Sequence, residues 1–126
     1  MKINFNSLKP VYVQIAEAVE DEIINGSLKE GSAAYSQLVL SRELGVNPAT
    51  AAKGISKLVA KGILEKQRGS SMVVASGAFA RLVNERRSGK LKELVENLVS
   101  EAEKLSLTED DVMHEIKKHY ENRGGE

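Results

Sequence analysis

The sequence predicts a mainly α-helical fold with a small β-wing: a winged helix-turn-helix followed by a two-helix C-terminal dimerisation extension. Three observations predict it. A short apolar helix ends at a glycine, a second helix with a strong start signal follows after a few residues, and the spacing of apolar residues then changes from helical to alternating. The expected domains are residues 1–76 for the winged helix-turn-helix and residues 77–126 for the extension.

The first two helices have clear local signals. Pro10 stands near the start of the first helix, and Gly26 is suited to the left-handed conformation behind its end. Ser36 is a candidate N-cap for a second helix over residues 37–44, and Gly45 is its expected stop. These signals predict two helices separated by a turn and a short extended segment.

The third helix and the hairpin follow at once. Asn47 and Pro48 provide an N-cap and a first-turn proline for a helix that is expected to run to about Lys61. Residues 63–67 and 72–75 predict two strands joined by a turn. A hairpin directly behind the second helix of a helix-turn-helix is a wing, so this segment predicts a DNA-binding module.

The C-terminal part predicts a long amphipathic helix and a short last helix. Ser88-Gly89 is a candidate kink in the long helix, and Thr108 with Asp111 resembles a capping box at the start of the last one. The apolar stripe on these helices is too long for the last helix to cover, so two copies of the chain are expected to pack together. The expected dimerisation residues are Leu91, Leu94, Val95, Leu98, Val99, Ala102, Leu105, Val112 and Ile116.

Composition narrows the class of protein. The 126 residues include no cysteine, which excludes disulfide scaffolds and cysteine-ligated zinc, and no apolar run approaches the length of a membrane span, so we expect a cytoplasmic protein. The formal net charge is zero, yet residues 38–70 contain six Lys or Arg residues against two Glu residues. This local excess of positive charge indicates double-stranded DNA as a partner.

The third helix predicts a DNA-binding face. Its apolar positions Ala51, Ile55, Leu58 and Val59 are expected to face the core. The other faces then carry small residues and two lysines one turn apart, which suits a helix in a major groove roughly 12 Å wide. The residues expected to bind DNA are Asn47, Pro48, Ala49, Thr50, Ala52, Lys53 and Lys57 on this helix, and Lys66, Arg68, Gly69 and Ser70 in the wing.

Residues 10–74 resemble the DNA-binding domain of the GntR family of regulators. The resemblance is carried by Pro-Val-Tyr-Val-Gln-Ile-Ala from residue 10, Ile-Asn-Gly-Ser-Leu-Lys-Glu-Gly from residue 24 and Leu-Ser-Arg-Glu-Leu-Gly-Val from residue 40. Val-Asn-Pro-Ala-Thr-Ala from residue 46 is similar to the YtrA subgroup, which has a short two-helix extension. The resemblance implies a homodimer on a palindromic operator, with repression as the default outcome, and adds Tyr35 and Ser36 to the expected DNA-binding residues.

The sequence departs from the family pattern at two places. Leu38 occupies a position where many members have a DNA-contacting arginine, and Gly-Ser-Ser-Met from residue 69 replaces the Gly-Arg-Gly-Thr of the wing. These changes predict fewer phosphate contacts, a weaker dependence of binding on salt, or an altered sequence preference.

No catalytic signature is visible, and His114 and His119 are five residues apart, which does not place them on one helix face as metal ligands. We therefore expect neither an enzyme nor a cofactor. The alternative is a winged-helix protein-interaction module that has lost DNA binding. An unidentified small-molecule effector is an open partner.

Overall fold

The computed structural model describes residues 1–67, 69 and 72–124, and the chain divides into two compact units, Met1–Asn84 and Glu85–Glu126. The helices and strands of the described residues, in chain order, are α1 (Val11–Ile24), α2 (Gln37–Leu44), α3 (Pro48–Ala60), β1 (Leu64–Lys66), β2 (Met72–Val74), α4 (Ala78–Arg86), a π-helical turn (Arg87–Leu91), α5 (Lys92–Lys104) and α6 (Glu109–Gly124). The predicted winged helix-turn-helix is therefore confirmed.

The core of the first unit is built around α1. Ile15, Val19 and Ile23 recur at helical spacing on one face of α1, and all three are buried. They pack in one apolar cluster with Leu40 of α2 and Leu58 of α3. Burial of this α1 face is therefore what joins the two helices of the helix-turn-helix to the rest of the unit.

Helices α1 and α3 approach each other closely at Gly54. A Cβ atom at Gly54 would lie 2.9 Å from Cγ2 of Ile15 and 3.2 Å from the main-chain oxygen of Tyr12. A glycine inside a helix usually costs stability relative to alanine, so its presence here has a packing reason. The absent side chain lets the backbone of α3 lie against α1.

The predicted caps of α2 and α3 are confirmed. Ser36 Oγ accepts a hydrogen bond from the amide of Val39 at 3.1 Å, and Gly45 ends α2 in the left-handed conformation with φ of 65°. Asn47 Oδ1 accepts a hydrogen bond from the amide of Ala49 at 2.8 Å, and Pro48 occupies the first turn of α3. The turn between the two helices is thus determined by local side-chain chemistry.

One expectation for α3 is wrong. Val59 was expected in the core, but 38% of its surface is exposed, while Gly54 is buried instead. The apolar spacing alone does not show that α1 crosses α3 along the line of Ala51, Gly54 and Leu58. Val59 lies beside this line and remains partly in solvent.

The wing is a two-stranded antiparallel sheet with an added edge. Leu64 pairs with Val74 and Lys66 with Met72. The extended segment before α2 continues the sheet, because the amide of Ala34 donates to the Met72 oxygen at 2.8 Å and Ala33 forms a bridge with Val73. The wing is therefore tied to the residues that lead into α2.

The first unit extends to Asn84, beyond the boundary expected at residue 76. Ala78 and Leu82 of α4 are buried in the core of this unit. The carboxylate of Glu30 accepts hydrogen bonds from the amides of Gly77 at 2.8 Å and Phe79 at 3.1 Å, and so supplies the N-cap of α4 from a distant part of the chain. The division between the units falls after Asn84.

The second unit contains the π-helical turn, α5 and α6. The turn includes Ser88 and Gly89, where a kink was expected. The expected capping box at α6 is present: Asp111 Oδ2 accepts from the Thr108 amide at 2.8 Å, and Thr108 Oγ1 accepts from the Asp111 amide at 3.1 Å. These hydrogen bonds also hold the pKa of Asp111 below its usual range.

Within the described part of the chain, no helix is long and apolar enough to cross a lipid bilayer.

The contact at Gly54 predicts a large effect of a side chain there. Gly54→Val is expected to lower the free energy of unfolding by about 1–3 kcal/mol, since its methyl groups would overlap Ile15 and the α1 backbone. Urea unfolding followed by circular dichroism measures this change. Gly89→Val is the matched control, because a Cβ at Gly89 has no atom within 4 Å. Equal stability of the two variants would contradict the proposed close packing of α1 and α3.

Candidate nucleic-acid interface

The candidate interface is the exposed surface formed by α3, the start of α2 and the wing. On α3, Ala51, Gly54, Ile55 and Leu58 are buried. The residues expected to bind DNA remain accessible: Asn47, Pro48, Ala49, Lys53 and Lys57 are exposed, and Thr50 and Ala52 are half-buried. The exposed face of α3 therefore carries small side chains at its N-terminal end and two lysines, Lys53 and Lys57, farther along.

Lys53 has a defined position on this surface. Its Nζ lies 4.1 Å from the centre of the Tyr12 ring, a distance that gives a cation–π interaction. Tyr12 belongs to α1, so the first helix positions a charged group of the recognition surface. Sequence reasoning did not identify Tyr12 as part of the site, because helical spacing within α1 gives no indication of which residue of α3 it faces.

Tyr35 is held from α1 as well. Its hydroxyl donates a hydrogen bond to Oε1 of Glu22 at 2.5 Å. The hydrogen bond to the Glu22 carboxylate, helped by partial burial, raises the pKa of Tyr35 to about 12. Glu22, which interrupts the apolar face of α1, thus connects α1 to the segment that leads into α2.

The start of α2 contributes to the same surface. A hollow of about 430 Å³ lies between α2, α3 and β2, and Gln37, Leu38, Pro48, Ala52 and Met72 contribute to its lining. Gln37 and Leu38 were not among the expected DNA-binding residues. The family resemblance could have identified them, because Leu38 occupies a position where many members have a DNA-contacting arginine.

The wing is described only in part. Lys66 is exposed at the end of β1, and Gly69 has a φ of 91°, which is the left-handed region that glycine adopts readily. Arg68 and Ser70, both expected to bind DNA, lie outside the described residues. Lys66 is therefore the wing cation whose position the structure gives.

The C-terminal end of α3 is occupied by structural contacts. Lys61 Nζ lies 2.6 Å from Oε2 of Glu20, whose side chain is buried. The guanidinium of Arg81 donates hydrogen bonds to the main-chain oxygens of Gly62 and Lys61. Lys61 thus belongs to the α1–α3 connection, and the positive charge available to a DNA phosphate lies farther towards the N-terminus of α3.

Over residues 1–67, 69 and 72–124, no group of three His, Cys, Asp or Glu side chains is arranged to hold a metal ion.

The Tyr35–Glu22 contact gives a testable pH dependence. Glu22→Gln is expected to lower the pKa of Tyr35 from about 12 towards 10, because the acceptor loses its charge. The raised pKa of the folded state contributes stability below pH 10, and this contribution is lost as the pH rises through about 12. Tyrosinate absorbance during alkaline titration measures it, with Tyr35→Phe identifying the Tyr35 signal. An unchanged titration in Glu22→Gln would show that Glu22 does not hold the proton.

Comparison with known proteins adds a family assignment to this geometry. Residues 11–74 match the family model described as bacterial regulatory proteins, gntR family. Two relatives from Bacillus subtilis strain 168 are similar over most of their length. The HTH-type transcriptional regulator YhcF is 29% identical over a region that spans 93% of this chain and 95% of YhcF. The HTH-type transcriptional repressor YtrA is 28% identical and covers 81% of this chain and 78% of its own.

Solved structures agree with this assignment. A GntR family transcriptional regulator from Listeria monocytogenes has a TM-score of 0.71 and 28% identity, covering 90% of this chain and 98% of that chain. The DNA-binding domain of AraR, solved in complex with operator ORX1, has a TM-score of 0.54 and 25% identity, covering 60% of this chain and 96% of its own. The matched segment covers α1, α2, α3 and the wing, which are the elements that build the candidate interface. The chain is therefore a DNA-binding transcription regulator that belongs to the GntR family and is similar to its YtrA subgroup.

Proposed function

We propose that this chain represses transcription as a homodimer that binds a palindromic operator, with α3 of each copy in the major groove. The observation that carries the proposal is the exposed face of α3, which has small residues in its first turns and lysines farther towards its C-terminus. Pro48, Ala49 and Ala52 allow the helix to approach base edges closely. Thr50, in the first turn of α3, lies where helix-turn-helix proteins contact bases.

The described part of the candidate interface carries few cations. Lys53 and Lys57 are one turn apart on α3, and Lys66 stands on the wing. Each phosphate contact contributes about −0.9 to the slope of log affinity against log salt concentration. With three described lysines on the surface, we propose that affinity depends on salt only moderately and that base contacts carry a large share of the specificity.

The relatives support repression and a role without catalysis. YtrA of Bacillus subtilis is named a transcriptional repressor, and the AraR structure contains an operator. The proposed site of action is the cytoplasm, where bacterial DNA is found.

The exposed apolar residues of the second unit support the dimer. Leu91, Leu94, Val95, Leu98 and Val99 of the π-helical turn and α5 are each 43% to 54% exposed. Fully burying a leucine or valine side chain contributes about 1.5–3 kcal/mol, so leaving this row in water forgoes a large stabilisation. A second copy of the row would cover it.

The other expected dimerisation residues are distributed unevenly. Leu105 is exposed, Ile116 is at the limit of exposure and Val112 is half-buried, whereas Ala102 is only 6% exposed. Ala102 is already covered by its own unit and adds little to a contact between copies. An apolar hollow of about 360 Å³ lies between α5 and α6 beside these residues, and we propose that side chains of the second copy enter it.

One observation favours the alternative of a protein-interaction module. Leu38 and Val39 at the start of α2 are exposed apolar residues on a surface that DNA-binding proteins usually make polar or cationic. If they contact a protein, DNA binding should be weak and indifferent to sequence. The following measurement separates the two functions.

Introducing a negative charge on α3 is expected to abolish specific DNA binding. Thr50→Glu and Lys53→Glu place a carboxylate where phosphates or base edges approach, and a glutamate at residue 50 is compatible with the first turn of the helix. Fluorescence anisotropy measures binding to DNA from upstream of the chain's own gene, with excess random duplex and several salt concentrations. Both variants should still form dimers.

Lys29→Glu is the matched control for Lys53→Glu, since it makes the same charge change outside the α2, α3 and wing surface. It should keep operator affinity within about twofold at moderate salt, where distant charges are screened. Normal binding by Thr50→Glu or Lys53→Glu would refute the proposed recognition surface. Failure of the unaltered chain to select any sequence from a random DNA library would favour the protein-interaction module.

A charge in the apolar row of α5 is expected to produce monomers. Leu98→Lys places an ammonium group in the proposed contact between copies, where its desolvation opposes association. Sedimentation equilibrium measures the mass, and operator affinity should fall together with it. Leu8→Lys, at a fully exposed leucine of the first unit, should leave the mass unchanged. A dimer of unchanged stability in Leu98→Lys would exclude this row as the interface.

A further inference from the structure

Leu38 is an apolar residue of α2 that does not belong to the core. Leu40 of the same helix is 1% exposed and belongs to the core, whereas Leu38 is 56% exposed. Leu38 points away from that core and lines the hollow between α2, α3 and β2. More than half of this large apolar side chain is therefore accessible to a partner at the hollow.

Small residues of α3 lie beside Leu38. Pro48 and Ala52 are one helical turn apart on α3 and line the same hollow as Leu38. Neither extends far from the helix, so a base pair in the major groove has room to enter. Gln37 borders the hollow and is exposed, and its carboxamide offers both a donor and an acceptor.

The major groove offers one apolar group for such a surface. Among the four bases, only thymine carries a methyl group on its major-groove edge, and its partner adenine presents N7 and N6 as an acceptor and a donor. A leucine fits the methyl group, and a glutamine fits the adenine edge. The two neighbouring residues Gln37 and Leu38 therefore match the two halves of a single A·T pair.

We propose that Leu38 and Gln37 read an A·T pair in each operator half-site, with Leu38 against the thymine C5-methyl group and Gln37 on adenine N6 and N7. The inference rests on the proposed function and specifies one base pair that the repressor prefers in its operator. Lys53 and Lys57 on α3 supply the positive charge that brings the polyanion to this surface. The apolar residue thus acts in base recognition at a position where an arginine would bind phosphate or guanine.

The test changes one chemical group of the DNA at a time. A high-affinity duplex is first selected from a random library with the full chain, and each thymine is then replaced by deoxyuridine, which lacks only the methyl group. At one thymine per half-site, we expect the substitution to weaken binding by about fourfold, the value for one buried methylene-sized group. In Leu38→Ala, the same substitution should change binding by less than about 1.5-fold, since the apolar partner of the methyl group is gone.

A second arm tests Gln37. Replacing the paired adenine by 7-deazaadenine removes the N7 acceptor, and it should weaken binding by the unaltered chain but not by Gln37→Ala. Val39→Ala is the matched control, because Val39 is an exposed apolar neighbour on α2 that does not line the hollow. It should keep the full dependence on the thymine methyl group. Thermal unfolding of each variant verifies that the fold is intact.

The outcomes are distinguishable. If a specific duplex is selected but no thymine methyl group is coupled to Leu38, the inference is refuted while the proposed function stands. If the library yields no specific duplex, the proposed function itself fails. If Val39→Ala removes the methyl dependence as Leu38→Ala does, the effect comes from α2 as a whole, and the assignment to Leu38 is refuted.

Discussion

The close packing of α1 against α3 at Gly54 is the constraint on which the first unit depends. The absent side chain of Gly54 allows Ile15 to lie directly on the α3 backbone. Close contact over this short line buries the apolar face of α1 and excludes water from the core. The direction of α3, and with it the direction of the candidate recognition surface, is determined by this contact between helices that are far apart in the sequence.

Polar contacts also hold α3 in place, at its C-terminal end. Glu20 is the one charged residue buried among those that the structure describes, and Lys61 neutralises it at the far end of α3. A buried charge without a partner would be strongly unfavourable, so Lys61 compensates Glu20 where α1 meets the end of α3. Arg81 of α4 adds hydrogen bonds to the main-chain oxygens that end α3. Helix α3 is thereby held at its middle by packing and at its C-terminal end by an ion pair and hydrogen bonds.

The candidate interface combines positioned groups of different character. Tyr12 holds Lys53, and Glu22 holds Tyr35, so two side chains of α1 order the surface without themselves belonging to α2 or α3. Between these points the surface is small and partly apolar, with Leu38 in its hollow. Such a surface suits recognition by shape and base-edge contacts more than attraction by charge alone.

The sequence by itself determined the local structure. Ser36, Asn47 with Pro48, and Thr108 with Asp111 satisfy backbone amides a few residues away, and Gly45 adopts a conformation that its own lack of a side chain permits. Such interactions are complete within one turn, so the bounds of α2 and α3 follow from the order of residues. The family resemblance rests on the same segments.

Only the tertiary structure decided which faces meet. Val59 is exposed and Gly54 is buried because α1 crosses α3 along a line that helical spacing does not reveal. The extension of the first unit to Asn84 depends on Glu30, 47 residues before the Gly77 amide that it binds. Contacts over such separations depend on how the elements pack, and a single sequence does not contain that information in its local patterns.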